Sequence, residues 1–275
     1  MNTELDEIIR LMGRSHGWDI SVYDEGFLIR SLDRRVSATG CETFASYLVY
    51  LSEDDTEAGT LYRSLCVSYS EFFRNPLTFG LLEQLILPGL IAHKEQAARP
   101  EIRVWAAGCA AGQEPYSVAI LLDELTAARG NTVSFRIFAT DSSEPELAAA
   151  RKGVYDPAAV GEVRLKHISD YFTEDGGSYT VTDALKGRVS FSVYDLLDER
   201  SSCPPSSIYG EFDLALCSNL LFYYRPDIRL SILNKLERCL RPDGHLVTDG
   251  AARDIVARHE GFRAVFPGAT VYRKR

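Results

Sequence analysis

The sequence predicts a doubly wound, mostly parallel α/β sheet with a small β insertion, preceded by a small all-α domain. Three observations predict it. From residue 102 onward, short apolar runs alternate with amphipathic stretches, the pattern of parallel strands covered by helices. Residues 3–68 instead carry apolar positions at helical spacing, with no strand-like alternation. Between the two regimes, IRVWAAGCAAGQEPYSVAILLDE reads as strand, glycine loop and helix in direct succession.

That last unit organises the chain. Val104, Trp105, Ala106 and Ala107 form a buried strand, Gly108 and Gly112 free the backbone to turn, and Pro115 sits where a helix begins. Such a unit is expected to bring backbone N–H groups and a helix N-terminus up to a nucleotide-type cofactor. Glu114 changes the expectation, because a carboxylate at the helix mouth repels a bare pyrophosphate. It suits a cation instead, such as the ammonium and sulfonium of S-adenosylmethionine.

Composition narrows the class. The chain has 275 residues, 45% hydrophobic and 25% charged, typical of a globular protein with a real core. No apolar stretch is long enough to span a bilayer, so no membrane insertion is expected. MNTELDEIIRLMGR has acids early and no apolar h-region, so a cytoplasmic location is expected. A net charge of −9 argues against nucleic-acid binding and requires a local basic patch for any acidic partner. The six cysteines are scattered without a C-x-x-C pair, so they read as reduced thiols and no metal site is expected.

In chain order, Leu5, Ile8, Ile9 and Met12 mark a first helix. Ser21 followed by Asp24 resembles a capping box before a second, VYDEGFLIRSLDRRVSAT, with Gly40 as its stop. Two more follow over CETFASYLVYLSE and EAGTLYRSLCVSY. Arg30, Arg34 and Arg35 fall on one broad side of the second helix, a surface for an acidic partner or a solvated face. The helical domain is assigned to 1–76, a linking helix to 77–100 with a bend at Pro88, and the α/β domain to 101–275. In SYSEFFRNPLT, Phe72 and Phe73 anchor the segment and Asn75-Pro76 ends any helix, so Arg74 is presented in a restricted position from which it can grip a carboxylate.

The α/β part continues with strands VSFRIFATD, RVSFSVYD, FDLALCSN and HLVTDG, interleaved with helices EPELAAARKG and DIRLSILNKLERCL. Two strands around Pro-Gly close the chain in FRAVFPGATVYRKR, giving an antiparallel edge. SDYFT and SYTVT flank a Gly-Gly turn, a β insertion at about 168–187. Ligands of such sheets lie beyond the carboxyl ends of the strands. Glu114, Asp141, Asp195 and Asn219 all fall there, Asp141 suited to ribose hydroxyls and Asp195 to an adenine amino group.

Taken together, FLIRSLDRRV, SEFFRNP, VWAAGCAAGQEPYSVA, IFATD, AAARKGVY, VSFSVYDLL, FDLALCSNLLFYY and LERCLRPDGHL resemble the CheR-type protein-glutamate O-methyltransferases of chemotaxis receptors. The resemblance implies a helical N-terminal domain and an S-adenosylmethionine-dependent methyltransferase fold with a small β-subdomain. It implies that Ser70, Arg74, Glu114, Asp141, Asp195, Leu196, Asn219 and Leu220 surround S-adenosylmethionine (product S-adenosylhomocysteine), and that Arg74 and Tyr223 serve catalysis; Gly108 of the glycine bend is expected at the same cofactor. Arg30, Arg34 and Arg35 match the family's basic helix, which implies a substrate surface for a methyl-accepting receptor or related signalling protein.

Three departures stand out. Ser218 replaces the arginine usual between Cys217 and Asn219, TDGAAR replaces a small polar run after the last core strand, and the insertion has only EDGGS where peptide-tethered members carry a longer loop. Tethering to a receptor's C-terminal peptide is therefore expected to be absent. A non-catalytic relative that binds the cofactor or a signalling partner without transfer is the alternative these departures keep open. Amino methylation of DNA bases fits poorly, since SNLLFYY stands where an Asn/Asp-Pro-Pro-Tyr turn is needed.

Overall fold

The structure, a computed structural model, describes residues 3–67, 69–201, 203–207 and 210–275; Ser202, Ile208 and Tyr209 of the SSCPPSSIYG loop lie outside the described residues. The chain divides into two compact units, one of residues 1–67 with 222–229, the other of residues 68–221 with 230–275.

The first unit contains α1 (Thr3–His16), α2 (Glu25–Thr39), α3 (Phe44–Glu53) and α4 (Asp55–Leu65). Each helix buries one stripe, so that Ile8, Met12, Leu32, Tyr47, Leu51 and Leu61 meet in a shared core. The ends are set by side chains. Asp24, not a Ser21–Asp24 box, caps α2 by accepting the N–H groups of Gly26 and Phe27. Residues 20–22 form a separate 3₁₀ turn capped by Asp19, so the helix starts later than its apolar pattern suggests. Gly40 stops α2 at φ 75° and returns its N–H to Val36 O. Residues 222–229 pack here too, through a Tyr23–Tyr224 bridge, Asp24 N–H on Tyr223 O at 2.8 Å and an Arg229–Asp24 ion pair.

The second unit begins with the SEFFRNP segment, which the sequence reading grouped with the helices; Phe72 packs edge-on against Tyr155 and Phe172 in the α/β core. Asn75-Pro76 opens a helix here. Asn75 at φ 63° caps it and Pro76 takes the first turn, where a missing N–H costs nothing. That helix, α5 (Pro76–Leu81), runs through a π-helical turn at Leu82–Ile86 into α6 (Leu87–Lys94). The π turn lies immediately before Pro88, whose absent N–H interrupts the regular ladder.

Then follow β1 (Glu101–Ala107), α7 (Gln113–Ala127), β2 (Ser134–Asp141), α8 (Glu144–Lys152), β3 (Val154–Tyr155), α9 (Leu165–Tyr171), β4 (Phe172–Asp175), β5 (Ser178–Val181) and α10 (Asp183–Lys186). β6 (Val189–Val193), β7 (Phe212–Leu216), α11 (Pro226–Cys239), β8 (Leu240–Val247), α12 (Arg253–Ala257), β9 (Phe262–Ala264) and β10 (Val271–Lys274) complete the chain. The main sheet has the order β6-β2-β1-β7-β8-β10-β9, parallel except where β10 runs antiparallel to both its neighbours. α7 and α8 pack on β2 and β6, and α6 packs on β1. β3, β5 and β4 make a separate three-stranded sheet, its β4–β5 turn formed by Gly176 and Gly177, both at positive φ. No described helix is long and apolar enough to cross a membrane.

Candidate active site

The parallel strands all point their carboxyl ends to one edge, and the loops leaving β1, β2, β6 and β7 meet there. The glycine bend after β1 sets the geometry. Gly108 at φ 74° and Gly112 at φ 91° turn the chain, and a side chain at Gly112 would stand 2.9 Å from the Cβ of Ala150 in α8. Leu220 lies over Gly108, whose added Cβ would touch its methyl at 3.4 Å.

Four of the bend's N–H groups are taken within the chain and are not offered to a ligand as expected. Gly108 and Cys109 both donate to Thr140 O, Ala110 donates to Asp141 Oδ2 at 2.9 Å, and Gly112 donates to Cys109 O. The loop is thus tied to the end of β2. Tyr155 Oη reinforces it by donating to Ala111 O at 2.7 Å.

Asp141 has a structural and an open role. Its other oxygen accepts Ser143 N–H at 2.9 Å, and the lone pairs left over face the same rim. Asp195 is exposed, with one oxygen on Leu197 N–H. The loop after it is held by Lys235, whose Nζ donates to Leu196 O and Asp198 O at 2.7 Å each.

Glu114 occupies the first turn of α7, half-buried, so its carboxylate loses solvation. Burial raises its pKa first of all; the Ser218 hydroxyl bond and the Arg74 charge oppose the rise, and the neighbouring Asp249 charge adds to it. Asp249 is a participant the sequence reading missed. Its Oδ2 accepts Asn219 N–H at 2.7 Å while Oδ1 accepts the N–H groups of Ala251 and Ala252, which holds Asn219 at φ 57°. The signal was a polar Thr-Asp-Gly directly after a strand, read only as a departure.

Arg74 is exposed, its guanidinium 5.0 Å over the Tyr69 ring and Nη1 on Tyr69 O at 3.3 Å. The preceding Phe73 stands at φ 52° and donates its N–H to Ser117 Oγ, which is itself bonded to Gln113 O. Arg74 is thereby fixed relative to the first turn of α7. Ser70 lies half-buried in the same segment.

Tyr223, Arg30, Arg34 and Arg35 belong to the first unit. Tyr223 packs against Phe27 at 4.8 Å and Phe222 at 4.3 Å. Arg30 and Arg34 are exposed on α2, whereas Arg35 makes a bidentate pair with the buried Glu57, at 2.8 and 2.6 Å, which also takes the Tyr47 hydroxyl. Arg35 is spent inside the helical core.

Residues 3–66 match the CheR methyltransferase all-alpha domain and residues 68–266 the CheR methyltransferase SAM binding domain. The chain belongs to the CheR methyltransferase family. It is 34% identical over 179 residues to chemotaxis protein methyltransferase 1 of Pseudomonas aeruginosa, covering 64% of this chain and 62% of that one. It is 28% identical to the chemotaxis protein methyltransferase of Borreliella burgdorferi, covering 89% and 86%. An uncharacterized 104.1 kDa protein of Rhodobacter capsulatus is 29% identical over 96% of this chain, and the chain spans 27% of its length.

The family's cofactor is S-adenosylmethionine, and the residues present fit it. Glu114 and Asp249 set two carboxylates at this rim against the single cation Arg74, an excess of negative charge that a cationic group would balance. An ammonium group answers that demand.

Proposed function

We propose that this CheR-family chain transfers a methyl group from S-adenosylmethionine to glutamate side-chain carboxylates of a chemotaxis-type receptor or a related signalling protein, without tethering to a receptor's C-terminal peptide. The observation that carries the reading is the half-buried Glu114 carboxylate beside Asp249 at the strand edge, with Arg74 the nearby cation. In this reading Glu114 takes the cofactor's ammonium, Asp141 its ribose hydroxyls, and Asp195 with Leu196 its adenine. Ser70, Gly108, Asn219 and Leu220 complete the enclosure. The names of the Pseudomonas and Borreliella relatives support chemotaxis methylation as the activity.

S-adenosylmethionine supplies an electrophilic methyl on a sulfonium. A glutamate side chain, with a reference pKa of about 4.3, is already a nucleophilic anion at neutral pH. No general base is required. Catalysis is then alignment, an effect worth roughly 7–11 kcal/mol when nucleophile and electrophile are held in line. Arg74 orients a carboxylate, either the acceptor's or the cofactor's own, and Tyr223 hydrogen-bonds at the reacting centre. Arg30 and Arg34 present charge to the acidic methylation helices, while Arg35 keeps that helix in place through Glu57.

Incubation with methyl-labelled cofactor and a receptor signalling domain tests the proposal. Alkali-labile methyl esters on glutamates are expected. Binding of S-adenosylhomocysteine without ester formation would instead assign a non-catalytic role. The β4–β5 hairpin with its two-glycine turn is the support for untethered action, and micromolar affinity for a receptor-tail peptide would refute that part.

A further inference from the structure

None of the active-site residues lines a second trough of this unit, a cavity of about 780 Å³ bordered by the α5–α6 helical run, the start of β8 and the β9–β10 hairpin. Three arginines, Arg241, Arg263 and Arg273, line it against a single acid, Asp243. In a chain of net charge −9 this is a local reversal of sign.

Register explains how the charges stand. His245 of β8 pairs with Arg273 of β10, which pairs in turn with Arg263 of β9, so the three side chains form one row on one face of the sheet. Like charges directly opposite each other destabilise a sheet. The compensation is incomplete. Arg273 meets Asp243 at 2.8 Å, and Arg241 is committed to the buried Asp213 and to His93. Arg263 is exposed and has no hydrogen-bond or ion-pair partner among the described residues. His245 has a buried Nδ1 without a partner. Beside this row, Leu85 and Phe266 leave 57% and 46% of their surface in water.

We propose that this trough docks an acidic, amphipathic segment of a partner protein, its carboxylates on Arg263 and Arg273 and its apolar side chains on Leu85 and Phe266. A compact phosphate group is the poorer fit. The cations stand in a row instead of converging, and the helical lining residues lie within a continuous helical run, so no helix N-terminus points at the trough. The paired apolar and cationic walls match what an amphipathic helix presents.

The test uses the full chain and a labelled peptide repeating Glu-Glu-Leu-Leu, read by fluorescence anisotropy. Its Gln-Gln-Leu-Leu twin and inorganic pyrophosphate are the comparisons. The acidic peptide is expected to bind, and both the Gln twin and the Arg263→Glu variant to weaken it by roughly tenfold or more, the loss of charge-assisted contacts. Arg263→Glu also places an acid opposite Arg273, so its urea midpoint is expected to stay or rise, with S-adenosylhomocysteine binding unchanged. No binding of the acidic peptide, equal binding by Arg263→Glu, or tighter Arg263-dependent binding of pyrophosphate would overturn the proposal. So would a clear drop in the variant's urea midpoint, because the row would then be structural.

Discussion

Gly112→Ala tests the bend on which the cofactor edge is built. Two costs add at this position. An L side chain at φ 91° costs about 1–2 kcal/mol in a left-handed conformation. The new methyl also meets Ala150 Cβ at 2.9 Å and Phe191 Cζ at 3.3 Å, overpacking worth about 1–3 kcal/mol. The expected loss is therefore about 2–5 kcal/mol, within the 5–15 kcal/mol typical of a domain, so the variant folds. Gly130→Ala isolates the first cost, since its φ is 74° and nothing lies within 4 Å of the added methyl. Urea unfolding of both variants, with unchanged slope, gives the two losses. Relief of the clash moves residues 108–112, so S-adenosylhomocysteine affinity is expected to fall in Gly112→Ala and to hold in Gly130→Ala. Equal losses of stability would refute the close approach of the bend to α8.

Other perturbations separate structure from function. Arg35→Ala leaves Glu57 buried without its guanidinium and is expected to cost about 2–4 kcal/mol in urea unfolding, whereas Arg30→Ala and Arg34→Ala change stability by less than about 0.5 kcal/mol but slow receptor methylation. Glu114 binds its proton more tightly in the fold than in the unfolded chain, so its contribution to stability is lost as pH rises through its raised pKa. Glu114→Gln is accordingly expected to raise the neutral-pH unfolding midpoint of the cofactor-free chain; a lower midpoint would contradict the burial argument. His245 shows the opposite linkage. Burial first, then Arg273 and Arg241, push its pKa from 6.5 down to about 4, so its stabilising contribution is lost as pH falls through that window, and His245→Gln should flatten the acid limb of the stability profile.

The strand, bend and helix at the cofactor edge were legible because each rests on local chemistry: an apolar run, glycines where φ must be positive, and an acid in the first helical turn. Asp141 and Asn219 were legible as strand-end residues for the same reason. What local pattern could not show was pairing across the chain. Arg35 reads as a third surface arginine until Glu57, 22 residues on, takes it. The N–H groups of the bend read as free until Thr140 and Asp141 take three of them, and Asp249 reads only as part of the departure TDGAAR until it meets Asn219 N–H. Asn75-Pro76 stops a helix or starts one with equal sequence licence, and the cap to Thr78 N–H decided for a start. The strand read as HLVTDG begins earlier than its apolar pattern suggests, since Leu240 already pairs with Phe212.

Calorimetric titration of S-adenosylhomocysteine into the chain and into Glu114→Gln tests the central claim most directly. One bound product per chain is expected, weakened by roughly tenfold to a hundredfold when the carboxylate that meets its ammonium is neutralised. Absence of binding to the unmodified chain, or the same affinity in both proteins, would contradict the assignment of this strand edge as the methyl-donor site.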